Sequence, residues 1–223
     1  MKHMLFLTLA CCLLPLGLRA EAVEGLIFFE RQIKRASFDI PTESETGEIR
    51  FELLQHKVRY YDEWGNKQIL KPKQAREYRF TFKGKEIRMI SVSRKAFPKK
   101  GTKPPFAKTL FLRCVEDGAV RLLEYHRGSD INAQRRRMLQ QPARYFKNAG
   151  PGQQPLTKGR KEYILFKDQE VLVLDATTTK SHLDLFLSDC PNIQEKATRQ
   201  TDTEDTATLA VRLYNENCGV VKK

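Results

Sequence analysis

Side chains able to do chemistry are few in this chain. Beyond residue 22 it keeps three cysteines, Cys114, Cys190 and Cys218, and three histidines, His56, His126 and His182. A zinc site needs such side chains at close, repeated spacing, as in His-Glu-x-x-His on a helix or Cys-x-x-Cys knuckles. Neither pattern occurs, so no metal-ligating set and no cofactor is expected. The three histidines flank or begin elements and read as ordinary surface or edge residues. A Cys/His nucleophilic pair could join Cys114 to His126 across a hairpin turned at Gly118, but Leu112 and Val115 flank Cys114 and mark it as core. There is no Gly-x-Ser-x-Gly elbow, and Gly150-Pro151-Gly152 lacks the helix and lysine of a phosphate loop. Glu116-Asp117 reads as a turn and Asp202 to Asp205 as a helix start. Tyr60, Tyr61, Trp64, Tyr78, Phe80 and Phe82 sit at strand spacing, as core and cross-strand pairs rather than a sugar-stacking platform. No catalytic set emerges.

Charge is the chain's most unusual property. Its formal net charge is +13, and the surplus is uneven. Residues 23–161 carry 31 Lys/Arg against 15 Asp/Glu, whereas residues 162–223 carry 7 against 11. No acid lies between Glu86 and Glu116 or between Asp130 and Glu162, and each interval holds eight basic residues. Fields of one sign attract polyanions and anionic surfaces, with an affinity that falls as salt rises. The candidate anion-binding residues are Lys95, Lys99, Lys100, Lys103, Arg135, Arg136 and Arg137. Two plainer readings stand beside this one: solubilising loop residues, and internal pairing with the acidic tail.

Short alternations of apolar and polar residues between turn signals predict about ten strands. They fall at 25–29, 48–54, 57–61, 67–70, 78–82, 86–92, 109–115, 120–125, 162–166 and 171–174. Lys83-Gly84 is the clearest hairpin turn. Strands in succession, with little room for crossovers, imply an antiparallel sheet that is curled, rolled or barrel-like. A helix capped by Thr178 or Thr179 would carry Leu183, Phe186 and Leu187 on one face. Short helices are also allowed near 131–140 and from Pro191, and a last helix should begin near Asp202 and carry Leu209 and Leu213. The fold class is therefore α+β, with a β-rich body at 23–176, a basic irregular insert at 127–161 and a helical segment at 177–223 packed on the same domain.

The first residues suggest an address. Lys2 precedes fifteen uncharged residues from Met4 to Leu18, and Ala20-Glu21-Ala22 follows. A basic start, a short apolar core and a small-residue exit make a signal peptide over residues 1–22, with cleavage after Ala22 and Ala20 as the runner-up. The apolar run is shorter than the 20 or so residues of a spanning helix, and no second such run occurs. Thr8 and Cys11 stand where a lipid-anchor signal at Cys11 or Cys12 would need other residues. In an oxidising compartment three cysteines form at most one bridge, either Cys190–Cys218 or none.

The chain also resembles an uncharacterised family of exported bacterial proteins. The residues that carry the resemblance run from Phe111 to Tyr125, then Tyr163-Ile164-Leu165-Phe166, Leu187-Ser188-Asp189-Cys190-Pro191 and Leu213-Tyr214-Asn215. The resemblance implies a strand-rich body, a helical end and export, and it implies no reaction, ligand or catalytic residue. The expected function is an exported cell-envelope module for binding or structure, with no nucleic-acid partner because of the compartment. One alternative is peripheral binding of anionic envelope lipid or polysaccharide through the basic loops; another is an envelope hydrolase with an unrecognised site.

Overall fold

A computed structural model describes residues 20–98, 103–127, 160–174, 180–190 and 203–219. Ten strands form one sheet: β1 Ala20–Phe28, β2 Ile33–Pro41, β3 Val58–Tyr61, β4 Lys67–Leu70, β5 Glu77–Phe82, β6 Lys85–Val92, β7 Leu110–Glu116, β8 Val120–Arg127, β9 Arg160–Lys167 and β10 Glu170–Leu174. Three α-helices are described: α1 Phe51–Leu54, α2 Lys180–Phe186 and α3 Thr203–Asn217. The strand order is β10-β9-β8-β7-β6-β5-β1-β2-β3-β4, every pair antiparallel. Two meanders are thus joined where β1 pairs with β5. The sheet is open, with β4 and β10 as its edges, rather than closed into a barrel.

Turn chemistry accounts for the tight hairpins. At β5–β6, Lys83 (φ 48°) and Gly84 (φ 75°) are both left-handed, the mirror-image turn whose twist matches its strands. At β1, Gly25 is required for a different reason. A Cβ there would fall inside the carbonyl oxygen of Arg79 and 2.8 Å from Cε2 of Phe38, so only glycine lets β5 lie against β1.

Two departures from the sequence reading concern β2 and α1. The strand β2 was not expected, although Ala36, Phe38 and Ile40 alternate inward along it. The strand expected at 48–54 is replaced by an isolated bridge at Ile49 and the helical turn α1. The alternation Ile49, Phe51, Leu53 suits a strand, but long-range bonds override it. Phe111 N–H donates to the Gln55 carbonyl at 2.9 Å, and Arg50 N–H to that of Pro41 at 2.9 Å.

The register places alternate residues on opposite faces. One face carries a core of Ile27, Phe38, Tyr78, Phe80, Met89 and Phe111 beneath α1. Further along the same face Val120, Leu122 and Leu165 pack under Leu183 of α2 and Val211 of α3. The opposite face carries Leu110, Leu112, Leu123 and Ile164, covered by Phe97 and Phe106 of the β6–β7 loop. Burying each such side chain contributes roughly 1.5–3 kcal/mol. The expected helices near 131–140 and from Pro191 lie outside the described residues, as do the expected caps Thr178, Thr179 and Asp202 and residues 1–19.

Candidate functional sites

Three polar constellations stand out from the apolar framework. The first lies between the two cores. Glu124 of β8 is buried, with its carboxylate against Nε2 of His126 and 3.2 Å from Nη1 of Arg113 on β7. Phe51 of α1 covers the group, stacked on the His126 ring at 5.2 Å, with the Arg113 guanidinium 4.9 Å from its centroid. Gln55 fastens α1 to β8 as a strand would. Its Nε2 donates to the His126 carbonyl, and its Oε1 accepts from the His126 N–H, both at 2.7 Å. Burial raises the Glu124 pKa, but the His126 hydrogen bond and the charges of His126, Arg113 and Lys161 outweigh it and hold the carboxyl below its ordinary range. The expectation that His126 is a surface residue is overturned, because α1 folds over the end of β8. The sequence signal was a lone carboxylate within Leu122-Leu123-Glu124-Tyr125.

The second constellation joins the helical segment to the sheet. Lys167 Nζ at the end of β9 lies 2.6 Å from Asp189 Oδ1, and Tyr214 of α3 donates its hydroxyl to Asp189 Oδ2 at 2.7 Å. Burial opposes the Lys167 charge, but Asp189 prevails and raises its pKa; the Lys167 hydrogen bond in turn lowers that of Asp189. Cys190 and Cys218 form a disulfide with Cα atoms 6.0 Å apart, fastening the end of α2 to the end of α3. Asn215 locks α3 to the β7–β8 hairpin, its side chain bonded to both N–H and C=O of Val120 at 2.8 Å. Asp189, Cys190, Tyr214 and Asn215 all serve attachment here. Beside this clasp an open cleft of about 860 Å³ runs between the β9–β10 turn and α2, lined by Asp168, Glu170, His182, Leu185, Phe186 and Asp189 among others.

The bridge closes a span of 28 residues. Replacing both cysteines by serine should therefore cost about 2–4 kcal/mol. Denaturant unfolding measures it; an unchanged midpoint would mean that apolar packing alone holds the two helices.

The third constellation is the basic β6–β7 loop. Of the eight cations between Glu86 and Glu116, two turn inward. Arg88 pairs with Asp117 and lies 2.9 Å from Glu77, while Arg113 meets Glu124. Arg94, Lys95, Lys103 and Lys108 are exposed, and none has an ion-pair partner among the described residues. Lys95 sits in a 3₁₀ turn, Arg94–Ala96. Lys99, Lys100, Arg135, Arg136 and Arg137 lie outside the described residues. Pairing of the body with the acidic residues after 161 takes up Arg127, whose Nη1 lies 3.3 Å from Glu162 Oε1, and none of these four loop cations.

Cys114 and His126 are not brought together. Cys114 is opposite Leu123, whereas His126 shares a face with Glu124, so the pleat puts them on opposite sides. Burial, reinforced by the nearby Asp117 charge, pushes the Cys114 thiol up to about 11. Trp64 is no core aromatic either: it is 71% exposed at the β3–β4 turn, where no second layer covers it. Among the described residues no group of three or more His, Cys, Asp or Glu could hold a metal ion, and no helix is long and apolar enough to cross a membrane. No family model, curated protein or solved structure matches the chain.

Proposed function

We propose that the protein is an exported component of a bacterial cell envelope, acting there as a non-catalytic module for binding or structure. The observation that carries this reading is the clasp made by the Cys190–Cys218 bridge. Structural disulfides persist in oxidising compartments and are rare where thiols are kept reduced. The opening apolar stretch and the resemblance to exported proteins point to the same address. The groups best suited to chemistry are engaged in holding the fold. Cys114 is kept as a thiol, Glu124 is closed in beneath Phe51, and Asp189 is held by Lys167 and Tyr214.

Fractionating the native host, with N-terminal sequencing and thiol trapping of the product, tests the address. The expected product lies outside the cytoplasm, begins at Val23 or Glu21 and holds the bridge oxidised. Cleavage after Ala22 removes only the β1 end that pairs with Asp39 to Pro41 and leaves the β1–β5 pairing at Gly25 to Phe28 intact. Full-length chain recovered in the cytoplasm with both cysteines reduced would refute the address.

A further inference from the structure

We propose that the two described arms of the β6–β7 loop, 93–98 and 103–109, form a contact surface for an anionic phospholipid bilayer, held through Arg94, Lys95, Lys103 and Lys108. The proposal rests on reading the protein as a binding module and names the partner. Phe97 and Phe106 fasten these two arms. Their rings meet edge to face at 5.6 Å, and each is anchored again in the sheet, Phe97 on Phe166 at 5.4 Å and Phe106 on Tyr125 at 5.6 Å. The two arms of the loop are thereby drawn side by side. All four cations lie within three residues of one of these rings in sequence, and all four are exposed. No carboxylate occurs from residue 87 to 115, so nothing within this stretch cancels the field.

The orientation of the aromatics favours lipid over glycan. Sugar recognition relies on exposed ring faces and a polar cleft, but Phe97 and Phe106 are 6% and 7% exposed and turned into the core. What faces outward is an array of charged tips. A bilayer suits such an array because its anionic headgroups diffuse laterally and can gather under fixed cations. With no large apolar side chain exposed in the described loop, attachment is electrostatic, peripheral and reversed by salt.

The test uses purified chain beginning at Ala20, which contains every described element and lacks the apolar start that would partition into lipid by itself. It is sedimented with phosphatidylcholine vesicles with and without phosphatidylglycerol. Binding should require phosphatidylglycerol and vanish between about 0.05 and about 0.5 M salt. Changing Arg94, Lys95, Lys103 and Lys108 together to glutamine should weaken it by about fivefold per cation removed, several hundredfold in all. A control removes the same charge elsewhere, with exposed Lys57, Lys71, Lys73 and Lys85 changed to glutamine; it should bind like the parent, and circular dichroism should show both variants folded. Equal losses in both variants would mean diffuse net charge and overturn the proposal. So would absent or salt-insensitive binding, or retention on an acidic polysaccharide with none on vesicles. Failure here leaves the exported address standing, because that is read from the mature N-terminus and the oxidised bridge.

Discussion

Replacing Gly25 with alanine should remove a large part of this protein's stability. Its Cα faces the β5 backbone so closely that even a methyl group would overlap the Arg79 carbonyl oxygen and press on the Phe38 ring. A carbonyl within a sheet cannot move without breaking its ladder, and Phe38 is fully buried in the same core. Overpacking costs about 1–3 kcal/mol where side chains can yield, and more where the obstacle is backbone. The expected loss is therefore about 3 kcal/mol or more, against a total stability of about 5–15 kcal/mol. The site matters doubly because the β1–β5 ladder is the strand pairing that joins the two meanders. Gly84→Ala is the comparison: nothing lies within 4 Å of a Cβ there. Only the left-handed φ is penalised, at about 1–2 kcal/mol. Urea unfolding of the two variants decides the matter, and a Gly25→Ala loss no larger than that of Gly84→Ala would show that β1 and β5 are not packed this closely.

Glu124→Gln should be nearly as damaging, and its effect should depend on pH. The carboxylate is buried between Arg113 and His126, and removing one partner of a buried ion pair costs about 3–5 kcal/mol because Arg113 loses its counter-charge. Arg113 is partly exposed and keeps some water, so the lower end of that range is expected. The sign of the pH dependence follows from the lowered pKa. Folding favours the ionised carboxylate, so its contribution is fully present above the unfolded pKa, near the ordinary value of 4.5, and is lost as pH falls through the lower folded value. Glu77, Asp117 and Asp189 shift in the same direction, held down by Arg88, by Arg121 and by Lys167 respectively against whatever burial opposes them. Stability of the parent should therefore fall progressively below about pH 4.5, and Glu124→Gln should fall less steeply. Measuring the free energy of unfolding from neutral to acid pH for both proteins separates the outcomes. Parallel curves, or a neutral-pH loss under about 0.5 kcal/mol, would mean that Glu124 is not the buried counter-charge of Arg113.

Clasp, buried carboxylate and basic loop illustrate different routes from residue to role. Asp189, Cys190, Tyr214 and Asn215 lie in segments that the sequence reading had already set apart, but that Asp189 would meet Lys167 and Asn215 would meet Val120 was not legible there. Glu124 was not singled out in the sequence, although a charge in an apolar strand was a signal for it, whereas Gln55 gave no warning because its partner is 71 residues away. The eight cations before Glu116 looked equivalent in sequence. The fold divides them, drawing Arg88 and Arg113 into ion pairs and leaving at least four outside.

By itself, the sequence determined the class of the fold and most of its elements. Side chains alternate along a strand and recur every three to four residues along a helix, and turns demand particular backbone angles; all of these are local properties. The hairpins at Lys83-Gly84 and around Asp168 and the helices bearing Leu183 and Leu213 follow from them. Only the tertiary structure decided how the two meanders join, that residues 51–54 turn as a helix, and which face of β7 and β8 each side chain occupies. The physical reason is reach. Pairing of β1 with β5 and the grip of Gln55 on His126 join groups about 50 and 71 residues apart, and such contacts leave no trace in local periodicity although they settle which local preferences prevail.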